Sequence, residues 1–191
     1  MIRRSKRRTF WSAIRSVLRT IDRAIPIDDS WQKREAMVAK HRFGHGNQHN
    51  WQWYFNGRSG VYVSSLKHVC RWLRRCKYTH DATLFQERDF WQHPVTFETT
   101  QKGDCEDHAV WAWRKLIELG IPAELVYGKC TYVHPDDSAH VWVVFMRKER
   151  SYVLETTAKA RKRMVLPVHK AKHYYSPEVS VDANLKTYVY D

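Results

Sequence analysis

The chain has 191 residues, of which 43% are hydrophobic, and a formal net charge of +13 at pH 7. This length and apolar content are enough for one sizeable core, so we expect one domain and an extension. No apolar run reaches the roughly 18–20 residues that a membrane-spanning helix needs, so no transmembrane segment is expected. The chain has four cysteines and no recognisable secretory signal, which favours reduced thiols and a cytoplasmic protein.

Residues 1–23 are strongly basic and amphipathic. They contain eight lysines and arginines against the single acid Asp22, a net charge of +7. The apolar residues fall on one helical face and three arginines fall on another, and these arginines interrupt any signal-peptide core. The pattern predicts a helix that suits an anionic membrane surface, a nucleic acid or an acidic protein. The alternative is that its apolar face docks on the domain.

The segment that follows the basic helix is irregular. We expect a second helix from Trp31 to His41, because Asp28, Asp29 and Ser30 supply start signals after Pro26. Residues 42–60 are rich in Gly, Asn and His, and they are predicted to form a loop with an aromatic anchor.

The domain boundary is predicted at residue 60. Residues 1–60 are assigned to the basic extension and aromatic loop, and residues 61–191 to the main domain. A helix at about 64–77 is expected to open that domain.

The best-defined element is a helix that begins near Cys105. The predicted N-cap is Asp104, with Asp107 in a capping-box position, and Gly120 supplies the stop. The Cys105 sulfur therefore lies near the positive end of the helix dipole, which favours a thiolate. The negative charges of Glu106 and Asp107 oppose it, so a cationic histidine partner is needed.

Such a histidine follows on a predicted strand. Ala123 to Val133 and His140 to Met146 have strand composition, and a short turn leads into Tyr152 to Glu155. Antiparallel pairing of the last two strands is expected to bring Glu155 beside His140. Cysteine, histidine and acid then form the constellation of a cysteine nucleophile. Further strands are expected at 165–168, 178–181 and 186–190.

Several short motifs resemble the transglutaminase-like superfamily, and most closely the bacterial transglutaminase-like cysteine proteinases. Gly-Asp-Cys-Glu-Asp (103–107) is the most specific of them. The others occur in the family's order: Asp-Phe-Trp-Gln-His-Pro (89–94), Leu-Gly-Ile-Pro-Ala (119–123), His-Val-Trp (140–142) and Val-Leu-Glu (153–155). Tyr78 and Asp81 also match the pattern, so the resemblance covers roughly residues 78–157.

The resemblance implies an α+β, papain-like or transglutaminase-like fold, with the nucleophile at a helix N-terminus packed against an antiparallel sheet, plus the N-terminal helical extension. It implies a catalytic triad of Cys105, His140 and Glu155. Glu155 departs from the usual Asp of this family. The implied activity is hydrolysis of a protein or peptide substrate through a thioester. The alternatives are acyl transfer to an amine and a basic nucleic-acid- or acidic-surface-binding protein without catalysis.

Two features of the implied site stay open at this stage. The second oxyanion donor, beside the Cys105 N–H, is expected from Gln92, Trp91 or Gln86. The chemistry requires no cofactor, but some relatives depend on calcium. Asp104 and Glu106 are therefore candidate calcium ligands. The simpler interpretation is a metal-free cap with acidic first-turn residues.

Overall fold

The computed structural model describes residues 31–133 and 138–191. The predicted N-terminal helix lies outside the described residues. No helix in the described part of the chain is long and apolar enough to cross a membrane.

The centre of the fold is a seven-stranded antiparallel sheet in the order β1-β9-β8-β4-β5-β6-β7. A separate two-stranded parallel sheet pairs β2 with β3, and β3 ends just before Cys105 in the sequence. The strands are β1 (Lys33–Glu35), β2 (Lys77–Tyr78), β3 (Lys102–Gly103), β4 (Ala123–Cys130), β5 (Ser138–Arg147), β6 (Arg150–Leu154), β7 (Val165–Pro167), β8 (Tyr175–Val181) and β9 (Thr187–Tyr190). The mixed helix and antiparallel-sheet class that the sequence predicts is confirmed.

Six α-helices occur in the described residues. They are α1 (Leu66–Leu73), α2 (Asp81–Leu84), α3 (Pro94–Thr100), α4 (Cys105–Glu118), α5 (Arg161–Met164) and α6 (Val168–Ala171). The longest, α4, is buried along nearly its whole length and packs on one face of the sheet. Its predicted stop is confirmed. Gly120 adopts φ +71°, its N–H donates to the Ile117 carbonyl, and the Ile121 N–H donates to the Leu116 carbonyl, as in a Schellman cap.

The helix predicted from Trp31 to His41 is wrong. The chain there forms β1, which pairs with β9, and a 3-10 turn over Lys40–Phe43. Pairing with a sheet edge overrides local helical propensity in so short a segment. The aromatic anchor also differs in detail, because Trp51–Phe55 is a 3-10 helix capped by the Asn50 side chain.

Residues 31–60, which the sequence assigns to the extension, contribute directly to the main core. Phe43, Trp51 and Tyr54 are buried in the same cluster as α4 and the inner face of β5. The Trp51 ring meets the Trp113 ring edge-on, with the centroids 6.1 Å apart. Aromatic anchors of this size dominate the energetics of the core they enter.

Two buried cations on α4 hold this segment in place. Arg114 donates from its guanidinium to the carbonyls of Tyr54, Asn56 and Gly57, at 3.2, 2.9 and 2.7 Å. Lys115 Nζ donates to the Val61 carbonyl at 2.9 Å and lies 3.3 Å from Glu98 Oε1. The chain before α1 is thus fastened to α4 through its own backbone carbonyls.

Glu98 is the buried counter-charge of this network. Burial raises its pKa, but hydrogen bonds from Ser59 and Trp111 and the charge of Lys115 outweigh burial and lower it. Its second oxygen accepts from the Gly60 N–H at 2.7 Å. The carboxylate therefore stays ionised beside Lys115.

Removing the Glu98 carboxylate should destabilise the domain strongly, because the buried Lys115 charge would lose its buried counter-ion and keep only the partly exposed Glu118. We expect Glu98→Ala to lower the free energy of unfolding by about 3–5 kcal/mol. Glu118 pairs with the same lysine at 3.0 Å but is 30% exposed. The control Glu118→Ala should therefore cost about 1 kcal/mol or less. Urea denaturation measures the free energy of unfolding of both variants. Equal losses would contradict the prediction that the buried acid contributes more than the exposed one.

Candidate functional site

Cys105 is the first residue of α4, but the helix is capped differently from the sequence prediction. Asp104 occupies the N-cap position without a side-chain cap hydrogen bond. Asp107 does not reach back to the cap either, since it accepts hydrogen bonds from the Gln92 side chain and, at 2.8 Å, from the Gln92 N–H. The reason is packing. The Asp107 carboxylate lies against Gly103, where a Cβ would come within 2.2 Å of its Oδ2.

His140 and Glu155 are brought together by the sheet. The register of β5 and β6 pairs Val143 with Leu154, so Glu155, the next residue, lies diagonal to His140 across the strands. His140 Nε2 lies 2.9 Å from Glu155 Oε2, and both side chains are fully buried. The sequence expectation that the strands bring these two residues side by side is therefore met.

The Glu155 carboxylate is saturated with donors. One oxygen accepts from the Thr157 N–H at 3.0 Å and from its hydroxyl at 2.6 Å. The other accepts from His140 and from the Tyr175 hydroxyl at 2.8 Å. Sequence reasoning missed Tyr175, since β8 reaches Glu155 only through the sheet order. Thr157 lies two residues from Glu155, which is the spacing of a local side-chain turn.

These contacts polarise the pair. Burial raises the pKa of Glu155, but the charge and hydrogen bond of His140, with the Thr157 donors, outweigh it and hold the pKa at about 2. Burial lowers the pKa of His140, but the charge of Glu155, the nearby Cys105 side chain and the hydrogen bond that His140 donates to Glu155 raise it well above its usual range. The imidazole is therefore held in its cationic form by an ionised carboxylate.

Two thiols approach this pair. Cys105 acts on His140 and raises the pKa of its imidazole. Its sulfur also donates to Glu106 Oε2 at 3.3 Å. Cys130, on β4, has its sulfur within 4.8 Å of ligand atoms of both His140 and Glu155, and it is fully buried. No local sequence signal points to Cys130, because only the pairing of β4 with β5 brings it there.

A cluster of five carboxyl groups surrounds the start of α4. Asp104 and Glu106 are the metal candidates expected from the sequence, and the structure adds three more acids. Asp81, Asp89 and Glu106 have oxygens within 4.8 Å of one another, and so do Asp81, Asp104 and Asp107. The remaining three were missed as ligands because they are distributed over 26 residues of sequence and meet only in the fold.

The cluster is electrostatically unfavourable by itself. Burial and the charge of Asp104 raise the pKa of Asp81 to about 6. Burial and nearby acidic or thiol groups raise the pKa of Glu106 and of Asp107 well above their usual values. Asp81 Oδ1, Asp104 Oδ1 and Glu106 Oε1 are buried and have no hydrogen-bond partner among the described residues. Orphaned carboxylate oxygens of this kind are suitable ligands for a hard cation.

The oxyanion candidates differ in what they can offer. The amide hydrogens of the Gln92 side chain are directed at Asp107 and at the Lys102 carbonyl, and its backbone N–H is also bonded to Asp107. Gln92 therefore orients the acid cluster. Trp91 is buried in the aromatic core, where its ring meets that of Trp51. Gln86 is exposed and adopts φ +59°.

Comparison with known proteins agrees with the sequence resemblance. A family model described as bacterial transglutaminase-like cysteine proteinase matches residues 59–185. A search of curated proteins finds no match. Among solved structures, LapG of Legionella pneumophila has a TM-score of 0.48 and 21% identity over 68% of this chain and 71% of that chain. Its calcium-bound form gives the same values, and its EGTA-treated form has 20% identity and covers 69% of that chain.

Proposed function

Because the chain belongs to the bacterial transglutaminase-like cysteine proteinase family and is a cysteine protease, we propose that Cys105, His140 and Glu155 form its catalytic triad. The observation that carries the proposal is the fully buried His140–Glu155 pair at 2.9 Å, with Cys105 near enough to raise the pKa of the same imidazole. Triads are recognised by such geometry and by the role of each group.

In the proposed reaction the Cys105 thiolate attacks the carbonyl carbon of a peptide bond. The His140 imidazolium gives its proton to the leaving amine as the C–N bond breaks, which leaves a thioester on Cys105. Neutral His140 then takes a proton from water, the hydroxyl adds to the thioester carbonyl, and Cys105 departs as thiolate. The acid product is released, and the proton stays on His140 for the next cycle.

The Cys105 backbone N–H, at the N-terminus of α4, is the proposed first oxyanion donor. It lies where the helix dipole already favours negative charge. The second donor is proposed to come from the segment that precedes the helix.

Glu155 takes the place of the usual aspartate because hydrogen-bond donors around it hold its carboxylate in position. Thr157 holds one oxygen and Tyr175 shares the other with His140. We propose that Tyr175 is a positioning residue, because it touches the acid and acts on the imidazole through it. A longer, more flexible glutamate needs such fixing before it can orient a histidine.

The acid cluster is proposed as a calcium site. Its ligands would be drawn from Asp81, Asp89, Asp104, Glu106 and Asp107, and bound calcium would supply positive charge that offsets their repulsion beside Cys105. The three orphaned oxygens support this assignment. In the absence of a cation, burial and mutual repulsion raise the pKa values of Glu106 and Asp107, so these two groups take up protons at a higher pH than exposed carboxylates do.

Iodoacetamide at limiting concentration should label Cys105 ahead of the other thiols. Burial raises the pKa of Cys70 and Cys130, and it raises that of Cys76 to about 12, so these three thiols react slowly at neutral pH. Peptide mapping by mass spectrometry measures the order. Cys105→Ala should abolish peptide hydrolysis, whereas the control Cys70→Ala should preserve it. Activity that survives in Cys105→Ala would refute the assignment of Cys105 as the nucleophile.

Glu155→Gln should lower kcat/KM by about 10² or more, because the charge that raises the pKa of His140 is lost. The alkaline limb of the pH profile should move to lower pH, since the imidazolium then deprotonates earlier. Tyr175→Phe removes one hydrogen bond, so its expected loss is about tenfold or less. It should not move that limb down, because the carboxylate remains. Tyr190→Phe, which removes a buried hydroxyl bonded to Ser180, is the matched control and should leave kcat/KM unchanged.

Calcium should bind the EGTA-stripped protein in isothermal titration, and its affinity should rise from pH 5 to pH 7. The sign follows from the raised pKa of Asp81, about 6, because protons compete with the cation below that pH. Asp81→Asn and Glu106→Gln should each weaken binding. Glu87→Gln, an exposed acid with no place in the cluster, should leave it unchanged. Absence of a calcium-dependent heat in the wild-type protein would refute the site.

A further inference from the structure

Positive charge in the described chain is concentrated in two stretches that contain no acidic residue. Residues 58–80 hold six lysines and arginines, residues 156–177 hold another six, and neither contains an Asp or a Glu. Their combined net charge of +12 nearly equals the +13 of the entire chain. Outside the basic N-terminus, the rest of the protein is therefore net acidic.

The fold joins these two stretches. Lys159 Nζ donates to the Leu73 carbonyl at 3.2 Å and to the Cys76 carbonyl at 2.6 Å, so the segment after β6 is bonded to the end of α1. Arg74 and Arg161, one from each stretch, both act on the Cys70 thiol and lower its pKa, although burial dominates that pKa. Both arginines are exposed.

We call the joined surface the basic face and define it by six exposed residues: Lys67, Arg71, Arg74, Arg75, Arg161 and Lys162. The first four recur at helical spacings of four, seven and eight residues, so they share one side of α1 and its C-terminal turn. Within residues 31–133 and 138–191, none of the six has an acidic partner. Like charges at such spacing repel one another, so the face costs stability in the free protein.

The basic face adjoins the proposed catalytic centre at both of its ends. Tyr78 follows the α1 stretch, and its pKa is raised by burial and by the charges of Cys105 and Asp104. The Tyr78 ring stacks near His108, whose Nδ1 is bonded to the Asp104 carbonyl at 2.7 Å. At the other end, Thr157, the second residue of the second stretch, donates hydrogen bonds to Glu155. A chain lying on the face is thus led towards Cys105.

We propose that the basic face binds an acidic polypeptide segment of the substrate and guides the adjoining peptide bond to Cys105. The inference deepens the proposed function and rests on it. Its position favours a substrate segment over a membrane or a nucleic acid, because both ends of the face meet groups of the proposed site. Charge complementarity of this kind accelerates encounter and selects partners, and it weakens as salt rises.

The test uses the full chain and fluorescein-labelled poly-L-glutamate, with binding followed by fluorescence anisotropy at low and physiological salt. Arg71→Gln/Arg74→Gln/Arg161→Gln should weaken binding about tenfold and flatten its salt dependence. The matched control, Arg34→Gln/Lys40→Gln/Lys186→Gln, removes three charges near the opposite edge of the sheet and should change the affinity less than about twofold. Bound poly-L-glutamate should also slow iodoacetamide labelling of Cys105 in the wild-type protein but not in the first triple variant.

Equal weakening by the two triple variants would overturn the proposal, because net charge alone would then explain binding. Tighter binding to phosphatidylglycerol vesicles or single-stranded DNA than to poly-L-glutamate, lost in the same variant, would replace the polypeptide with a membrane or a nucleic acid. Binding without protection of Cys105 would refute the guiding role. An error in the proposed triad would be detected separately, by the activity of Cys105→Ala and by the order of thiol labelling. It would not change the interpretation of the anisotropy measurement.

Discussion

The near-complete burial of α4 is the constraint on which the rest of the structure depends. From Glu106 to Ile117 its residues are buried, and they include acids, a histidine and two cations as well as the apolar stripe. Each buried polar group needs a partner. Arg114 and Lys115 therefore hold the preceding chain against the helix by its carbonyls, and Asp107 accepts hydrogen bonds from the backbone and the side chain of Gln92. The hydrogen-bond partners that the buried polar groups of α4 require therefore fix the positions of segments that are far apart in the sequence.

The two ends of α4 illustrate opposite solutions to buried charge. Towards the C-terminal end of α4, Lys115 lies beside Glu98, so the two charges compensate each other, and both side chains are also hydrogen-bonded to the preceding chain. At the N-terminus, acids meet acids, and their pKa values rise. A protein tolerates such a cluster where an added cation or proton completes it, since each buried like charge otherwise costs several kcal/mol in order of magnitude. This contrast is why the acid cluster, and not the cationic network, is proposed as a binding site.

The His140–Glu155 pair is stabilised from three strands and a loop at once. His140 lies on β5, and Glu155 is the residue directly after β6. Tyr175 lies on β8, and Thr157 lies in the loop that follows β6. The arrangement fixes the imidazole before any substrate arrives, which is the preorganisation that nucleophilic catalysis requires. Cys130 lies in the same buried space, so the environment of the pair is apolar enough to keep its charges strongly coupled.

The sequence by itself determined the family, the helix that begins at Cys105 with its glycine stop, the strands around His140 and Glu155, and the fact that positive charge dominates. These follow from local signals: a specific motif, residue periodicity and turn chemistry. It placed the N-cap at Asp104 correctly but not the side-chain hydrogen bonds expected there. It was wrong about the helix at Trp31–His41, where pairing with β9 overrides local preference. Only the tertiary structure brought Tyr175 and Cys130 to the His140–Glu155 pair, gathered five carboxyl groups at one helix end and joined two basic stretches into one face. Such groupings depend on contacts between distant residues, which no local pattern in the sequence encodes.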